Sequence, residues 1–140
     1  MTGTVRPEYR MLPEISKDTE PFWTGGAEGE LRIHRCRACE CWFHPPAGVC
    51  FRCRSRDVGP QAVSGRAKVA AYTINQHTWF PGFPPPYIVA LVELDEEPDV
   101  RLTTNIVDCA VADVRVGMPV QVTFDRHEDV WVPIFRPVAS

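Results

Sequence analysis

Four of the six cysteines form two pairs with the same internal spacing, and this pattern restricts the possible folds more than any other feature of the sequence. The stretch CRACECWFHPPAGVCFRC holds Cys36 and Cys39 in one Cys-x-x-Cys pair, and Cys50 and Cys53 in a second pair after ten further residues. Two such pairs on neighbouring hairpins can direct four thiolates at one tetrahedral centre, as in a structural zinc ribbon. We therefore predict a zinc ribbon over residues 31–60, with these four cysteines binding Zn²⁺.

Other uses of the cysteine pairs have less support. Because the longest apolar run, YIVALV, is far shorter than the roughly 18 residues that span a bilayer, we expect no membrane segment. The N-terminus lacks the layout of a signal peptide, so we expect a cytoplasmic protein, in which disulfides are rare. A redox dithiol needs only one pair. A rubredoxin-type iron site favours glycine after each pair, where this chain has Glu40 and Arg54, but the sequence alone does not separate zinc from iron.

The other reactive residues are interpreted as structural. Strand alternation turns Cys41 away from the metal, and four well-spaced thiolates leave no need for a histidine ligand from His34 or His44. Cys109 lies near a strand end without a recognisable base, so a buried apolar thiol is expected there. Because a four-thiolate centre has no open coordination position, its role is to fold the segment, and we predict no catalytic residue. Four arginines can offset its negative charge, namely Arg35, Arg37, Arg52 and Arg54.

The remaining sequence indicates a mainly β protein. Five strand-like segments with turn signals between them predict a five-stranded OB-type β-barrel over residues 61–140, with an SH3-like barrel or half-sandwich as the alternative. Residues 1–30 are predicted to form an N-terminal arm and a short helix, which Asp18 or Thr19 caps and in which Pro21 occupies the first turn. The five segments are AVSGRAKVAAYTIN, YIVALVEL, RLTTNIVD, MPVQVTF and WVPIFRP.

The charge is unevenly distributed along the chain. Residues 1–68 hold 11 basic and 8 acidic side chains, whereas residues 69–140 hold 4 basic and 10 acidic ones. Zinc ribbons and OB barrels both occur in proteins that bind single-stranded nucleic acid, so such a module is one hypothesis. Since the acidic barrel half would repel a polyanion, we expect no nucleic-acid partner. An electron carrier with iron in the ribbon is a further alternative.

Six aromatic residues lie on segments that cannot easily bury them. Two are on a helix too short to be stable alone, and four stand on a loop that contains four prolines. Rings on a stiff loop lose little entropy on binding, and aromatic residues are enriched at interfaces. We predict that they contact a partner, although the loop rings could instead fold back over the barrel or the ribbon. The six are Phe22, Trp23, Trp79, Phe80, Phe83 and Tyr87.

Taken together, these segments resemble a known family, the Zn-ribbon OB-fold proteins associated with acyl-CoA, which are small partners of thiolase-superfamily proteins. The resemblance covers nearly the whole chain. It departs from the family pattern at CEC, Cys39 to Cys41, where the family usually continues with glycine. It is carried by PFW and GEL before the first cysteine pair, by RCRACECWFHPP and VCFRCRSRD in the ribbon, and by VSGRAKVAAYT, PPYIVALVEL and VGMPVQVTF in the barrel.

The resemblance implies a helical arm, a rubredoxin-like zinc ribbon and an OB barrel that act together as a non-catalytic subunit. It implies a hetero-oligomer with a thiolase-superfamily or lipid-transfer-protein-like subunit, most closely the aldolases that cleave a β-hydroxyacyl-CoA in steroid side-chain degradation. A partner of a thiolase or acyltransferase in other acyl-CoA metabolism is the alternative. The six aromatic residues would then line the partner interface or the acyl-CoA channel, with structural Zn²⁺ in the ribbon and a CoA thioester at the interface.

Overall fold

The computed structural model describes residues 10–138 of the chain, and the predicted N-terminal arm begins in residues 1–9, outside the described part. A short helix, α1 (Glu20–Thr24), precedes a 3-10 turn over Gly25–Glu28. The predicted mainly β fold with one short helix is confirmed for this part of the chain. The strands are β1 (Leu31–Cys36), β2 (Trp42–Phe43), β3 (Val58–Val63), β4 (Arg66–Asn75), β5 (Tyr87–Leu94), β6 (Arg101–Ile106), β7 (Pro119–His127) and β8 (Val130–Pro137).

Pro21 lies in the first turn of the helix as predicted, but the cap differs from the expectation. Thr19 occupies the N-cap position without a side-chain hydrogen bond to the helix amides. Its hydroxyl instead accepts a hydrogen bond from the Ser16 amide at 2.9 Å. Gly29, with a φ of 72°, ends the following 3-10 turn in the left-handed region that glycine adopts without strain. Between residues 10 and 138, no helix has the length and apolar character to cross a membrane.

The ribbon is a three-stranded antiparallel sheet in the order β2-β1-β3. The central strand β1 pairs along its whole length with β3, from Leu31 opposite Val63 to Cys36 opposite Val58. The outer strand β3 contains Pro60. An edge strand tolerates a proline because its outward-facing amides need no partner in the sheet. The chain leaves this sheet at Ser64 and enters the barrel at Arg66.

Strands β4 to β8 form a closed five-stranded barrel in the order β4-β5-β6-β8-β7, consistent with the predicted OB fold. Strand β5 shows the alternation that a barrel wall requires, since every second residue from Ile88 to Leu94 is buried. The barrel closes between β6 and β8 through a single parallel register pair, Ile106 with Phe135. The first half of β6 therefore makes no ladder with β8.

The helix and the ribbon pack on the barrel through one shared core. Phe22 on α1 and both Leu31 and Ile33 on β1 belong to the same buried cluster as the barrel residues Val92 and Phe135. Each large apolar side chain stabilises the fold by about 1.5–3 kcal/mol when it is fully buried. The short helix, which could not persist alone, is therefore held by this contact.

We predict that Gly26→Ala destabilises the protein, because Gly26 lies directly on the barrel. A Cβ at this position would lie 2.6 Å from Cβ of Trp131 and 2.7 Å from Cδ1 of Phe124. Overpacking of this kind costs about 1–3 kcal/mol of unfolding free energy, which urea denaturation measures. The matched control is Gly48→Ala, since a Cβ on Gly48 meets no atom within 4 Å. Equal stability of the two variants would contradict the packing described here.

Candidate metal centre and adjoining surface

The four cysteines predicted as ligands meet at one point. Their sulfur atoms all lie within 4.8 Å of one another. The Sγ atoms of Cys36 and Cys53 are 3.5 Å apart, and those of Cys39 and Cys50 are 3.7 Å apart. A tetrahedral zinc ion with Zn–S bonds of about 2.3 Å places its sulfurs about 3.8 Å apart. The donor set and its spacing therefore fit structural Zn²⁺.

The two cysteine pairs lie on turns of the same shape. The Cys36 amide donates to the carbonyl of Cys41, and the Cys50 amide donates to the carbonyl of Ser55, both at 2.9 Å. Within these turns Glu40 and Arg54 have φ values of 65° and 64°, in the left-handed region. Glycine would be favoured at both positions, so the chain forms the turns at a local conformational cost.

Backbone amides make the site electrostatically suited to thiolates. The Cys39 amide points at Cys36 Sγ from 3.5 Å and lowers the pKa of that thiol. On the other turn, the Cys53 amide is the largest of the contributions that lower the pKa of Cys50 to about 6. These two thiols are therefore shifted toward the thiolate form, which is the one that binds metal. At Cys53 the Ser55 amide acts in the same direction, but the hydrogen bond to Cys36 and burial outweigh it and raise the pKa to about 12.

The arginines around the site have partners of their own. Arg37 forms an ion pair with Asp57 at 3.1 Å, and Arg35 forms a longer one with Glu40 at 3.6 Å. The Arg35 guanidinium also lies over the ring of Trp42, 4.6 Å from its centroid. Since their charge is shared with carboxylates, these two arginines offset the charge of the thiolates less than the sequence alone implied.

The remaining cysteines lie outside the metal group. Cys41 is buried, its sulfur donates to the carbonyl of Trp42, and burial raises its pKa. Cys109 is buried in the barrel core cluster, where burial likewise raises the pKa of its thiol. Both thiols are therefore protonated and poorly nucleophilic near neutral pH.

The predicted aromatic residues of the loop lie between the end of β4 and the start of β5. Phe83 packs against Tyr87 with ring centroids 4.2 Å apart, and its amide donates to the carbonyl of Phe80. Trp79 is 64% exposed, whereas the other three rings are half-buried. The rings of Phe83 and Tyr87 thus contact each other, and the Trp79 ring is left mainly to solvent.

The aromatic residues of the helix line a cavity of about 320 Å³ where the helix, the ribbon and β6 meet. Phe22 is only 8% exposed and packs against the ring of His44, with ring centroids 4.9 Å apart. Sequence reasoning missed this cavity because its walls come from segments far apart in the chain. They are Thr19, Phe22, Trp23, His44, Pro45, Pro46, Arg101, Leu102 and Thr103.

His44 is neutral in this position. Burial, together with the neighbouring His34, lowers its pKa from an ordinary value of 6.5 to about 4. Its Nδ1 atom is buried and has no hydrogen-bond partner among residues 10–138. Protonation of His44 would place an unpaired charge against Phe22, which disfavours the folded protein at low pH.

A buried ion pair was also missed by sequence reasoning. A guanidinium nitrogen of Arg10 lies 3.6 Å from a carboxylate oxygen of Asp125, and these side chains are 14% and 7% exposed. The same guanidinium lies 5.2 Å from the centroid of the Phe83 ring. Burial lowers the pKa of Arg10 in spite of the opposite effect of Asp125. This contact joins the start of the described chain to both the barrel and the aromatic loop.

Comparison with known proteins finds that two consecutive parts of the chain match two domains of one family. Residues 23–59 match the ChsH2 rubredoxin-like zinc ribbon domain, and residues 60–125 match the ChsH2 C-terminal OB-fold domain. The chain belongs to the ChsH2 family. The rubredoxin-like ribbon and the family membership predicted from the sequence are confirmed by these matches.

Two curated relatives of this ChsH2 protein are longer than the chain. A probable enoyl-CoA hydratase alpha subunit of Thermomonospora curvata is 36% identical over 129 residues, which are 91% of this chain and 40% of the relative. The 3-oxo-4,17-pregnadiene-20-carboxyl-CoA hydratase alpha subunit of Mycobacterium tuberculosis is 35% identical over 131 residues, 91% of this chain and 41% of the relative. The chain therefore spans about two fifths of the length of these relatives.

A solved structure is similar over almost its whole length. A chain of the Ltp2-ChsH2 (DUF35) aldolase superimposes with a TM-score of 0.81 and is 35% identical. The match covers 90% of this chain and 98% of that one. The ribbon and barrel of this ChsH2 protein thus have a counterpart of known structure within an enzyme complex.

We predict that Cys36→Ser removes the metal and unfolds the ribbon. Structural zinc contributes about 10–16 kcal/mol to the folding of small metal domains, and a hydroxyl is a poor replacement for a thiolate ligand. Elemental analysis should show zinc in the wild-type protein and its loss in the variant. Cys41→Ser is the matched control, because Cys41 is an adjacent buried cysteine outside the metal group, and it should retain the metal. A folded Cys36→Ser ribbon without zinc would contradict a structural role.

We predict that neutral His44 makes the protein less stable in acid. Because its folded-state pKa of about 4 lies below the ordinary 6.5, the unfolded chain binds more protons between these values. Stability from neutral His44 is therefore present above about pH 6.5 and lost as the pH falls toward 4, by about 2 kcal/mol between pH 7 and pH 5. His44→Phe should lose less stability over that interval, as measured by urea unfolding with excess zinc. The same loss in both proteins would assign the acid sensitivity to other groups.

Proposed function

We propose that this chain is a non-catalytic subunit of an acyl-CoA enzyme and that it assembles with a thiolase-superfamily, lipid-transfer-protein-like subunit. The observation that supports this most is the similarity to a chain of the Ltp2-ChsH2 (DUF35) aldolase over 98% of that chain. The name of that enzyme pairs a ChsH2 component with a second component, Ltp2. Two further relatives are named as alpha subunits, which also implies assembly with other chains.

The chemistry of the described residues supports an accessory role. The four-thiolate centre has no open position for a substrate or water, so its metal would hold the ribbon together and not activate a nucleophile. The two other thiols, Cys41 and Cys109, are buried with raised pKa values. Catalytic groups for acyl-CoA chemistry would accordingly come from the partner.

The reaction we propose is retro-aldol cleavage of a β-hydroxyacyl-CoA in the breakdown of a steroid side chain, in the cytoplasm. An aldolase among the similar structures and a pregnadiene-carboxyl-CoA hydratase subunit among the relatives both support it. Hydration of an unsaturated acyl-CoA yields a β-hydroxyacyl-CoA, so the two named activities fit consecutive reactions. The hydratase names favour a second candidate, a subunit that serves the hydration step itself.

The six predicted aromatic residues are proposed to serve this assembly in two ways. Trp79, at 64% exposure, would contact the partner directly. Phe22 and Trp23 would act from the cavity of about 320 Å³ beside the helix, where an apolar group of the partner or of the acyl-CoA could enter. The half-buried Phe80, Phe83 and Tyr87 would hold the loop that carries Trp79. A CoA thioester bound at the interface is part of the proposal.

Co-expression tests the proposed function. The chain, produced with the thiolase-superfamily protein encoded nearest to its own gene, should purify as a hetero-oligomer that cleaves a β-hydroxyacyl-CoA. Light scattering measures the assembly and mass spectrometry measures the products. The chain alone, with or without zinc, should show no cleavage, because its thiols are buried or bound to metal. Cleavage by the chain alone would refute the subunit role, and hydration of an unsaturated acyl-CoA by the complex would favour the second candidate.

A further inference from the structure

Half of strand β4 has an edge that no other described strand covers. At its start, Arg66, Ala67 and Lys68 pair with β7. A bulge between Val69 and Ala71 follows, and residues 71–75 pair only with β5 within residues 10–138. The free edge of such a segment presents unpaired backbone amides and carbonyls.

The free edge of β4 is less protected than the outer edge of β3 and the seam between β6 and β8. The outer strand of the ribbon, β3, carries Pro60, which cannot donate to an added strand. The seam between β6 and β8 lies beside Leu12, Ile15 and Trp23, which pack on the cluster beneath β8. Residues 71–75, Ala-Tyr-Thr-Ile-Asn, contain no proline or charge and include three residues with high strand propensity.

The stretch of chain that carries this edge and the neighbouring strand β5 is uncharged almost throughout. Residues 69–92 contain no Asp, Glu, Lys or Arg. On the outer side of the hairpin, Val89 and Leu91 are half-buried and line a shallow depression with Ala71 and Thr73. Interface cores are depleted in charged residues, and an added strand needs apolar side chains that fit such depressions. The neutral surface is complementary to an uncharged, partly apolar segment and not to a polyanion or a highly charged peptide.

Trp79 stands beside the end of the free edge as a fixed anchor. Its Nε1 donates to Oδ1 of Asn75, the last residue of β4, at 3.0 Å, and its ring lies 4.4 Å from that of His77. Asn75 in turn donates to the carbonyl of His77 at 2.6 Å. The polar atom of the indole is therefore satisfied within the chain, while 64% of the residue is exposed. An exposed aromatic ring that is already oriented loses little entropy when a partner covers it.

We propose that an extended, uncharged segment of the partner subunit adds to β4 along residues 71–75 and packs against Trp79. The inference rests on the subunit role proposed above and identifies the surface that would contact the partner subunit. Backbone hydrogen bonds to the free edge supply a general attraction, and the depression beside Thr73 selects the side chains of the incoming strand. Trp79 supplies the central apolar contact.

Amide hydrogen exchange locates the contact. It compares the free chain with the co-purified complex of this chain and its thiolase-superfamily partner. Amides within residues 71–75 that point to the free edge should exchange at least about tenfold more slowly in the complex, because an added strand accepts their hydrogen bonds. Amides of β3, whose edge contains Pro60, should keep their rates.

Two variants test the energetic contribution of the edge. Thr73→Lys places a charge on the free strand, and Trp79→Ala removes the anchor; each should raise the Kd of the complex about tenfold or more. Matched controls are Gln61→Lys on the proline-bearing edge of β3 and Phe51→Ala, which removes a ring that is 69% exposed on the ribbon. Both controls should leave the Kd within about twofold, since neither touches the proposed surface. Zinc content and urea unfolding establish that all four variants are folded.

The outcomes separate this inference from the proposed function. A complex with unchanged Kd in both edge variants and unchanged exchange in residues 71–75 would overturn the assignment of the edge but leave the subunit role standing. Absence of a complex in co-expression would overturn both. If the chain alone forms a dimer that Thr73→Lys dissociates, the occupant is a second copy and the partner assignment is overturned. Oligonucleotide binding that Thr73→Lys abolishes would overturn it as well.

Discussion

Strand β1 ties the metal centre to the barrel, and the arrangement of the whole molecule depends on that tie. Leu31 and Ile33, at the start of the strand, are each 1% exposed and lie in the barrel core. Cys36, its last residue, belongs to the four-thiolate group. The buried cluster of the ribbon itself is small and mostly cysteine, so metal binding takes the place of a hydrophobic core there. A metal that holds Cys36 thereby also fixes the direction in which the ribbon leaves the barrel.

The first described residues cover part of the barrel surface. Leu12 and Ile15 pack on the cluster under β8, and Arg10 forms a buried ion pair with Asp125 on β7. Breaking such a pair by removing one partner is costly, since a charge is left buried without compensation. The segment is thus held against β7 and the cluster under β8, and its Arg10 also contacts the aromatic loop between β4 and β5. Within residues 10–138, the second half of β4, residues 71–75, pairs only with β5.

Features set by local sequence could be predicted, and features made by distant segments could not. The spacing of the cysteines implied the ligand set, and alternating apolar residues implied the five barrel strands. Both patterns could be recognised because each lies within a short stretch of sequence. The cavity beside His44 and the ion pair of Arg10 with Asp125 join segments far apart in the chain, so no local sequence pattern predicts them. The free edge of β4 could not be predicted from the sequence either, since only the strand pairing in the barrel shows which half of β4 lacks a neighbour among the described strands.

The proline loop explains why only Trp79, of the six aromatic residues predicted to contact a partner, is left mainly exposed. Prolines 84 to 86 cannot donate to a ladder, so β5 begins only at Tyr87. The stiff loop then folds Phe83 onto Tyr87 and beneath the Arg10 guanidinium, which uses these rings within the chain. Trp79 is left mainly exposed and is held by Asn75, the last residue of β4. Because the indole is fixed by Asn75 of the neighbouring strand, a strand added to β4 as proposed would meet the ring in one orientation, and that would favour a specific partner over a general apolar contact.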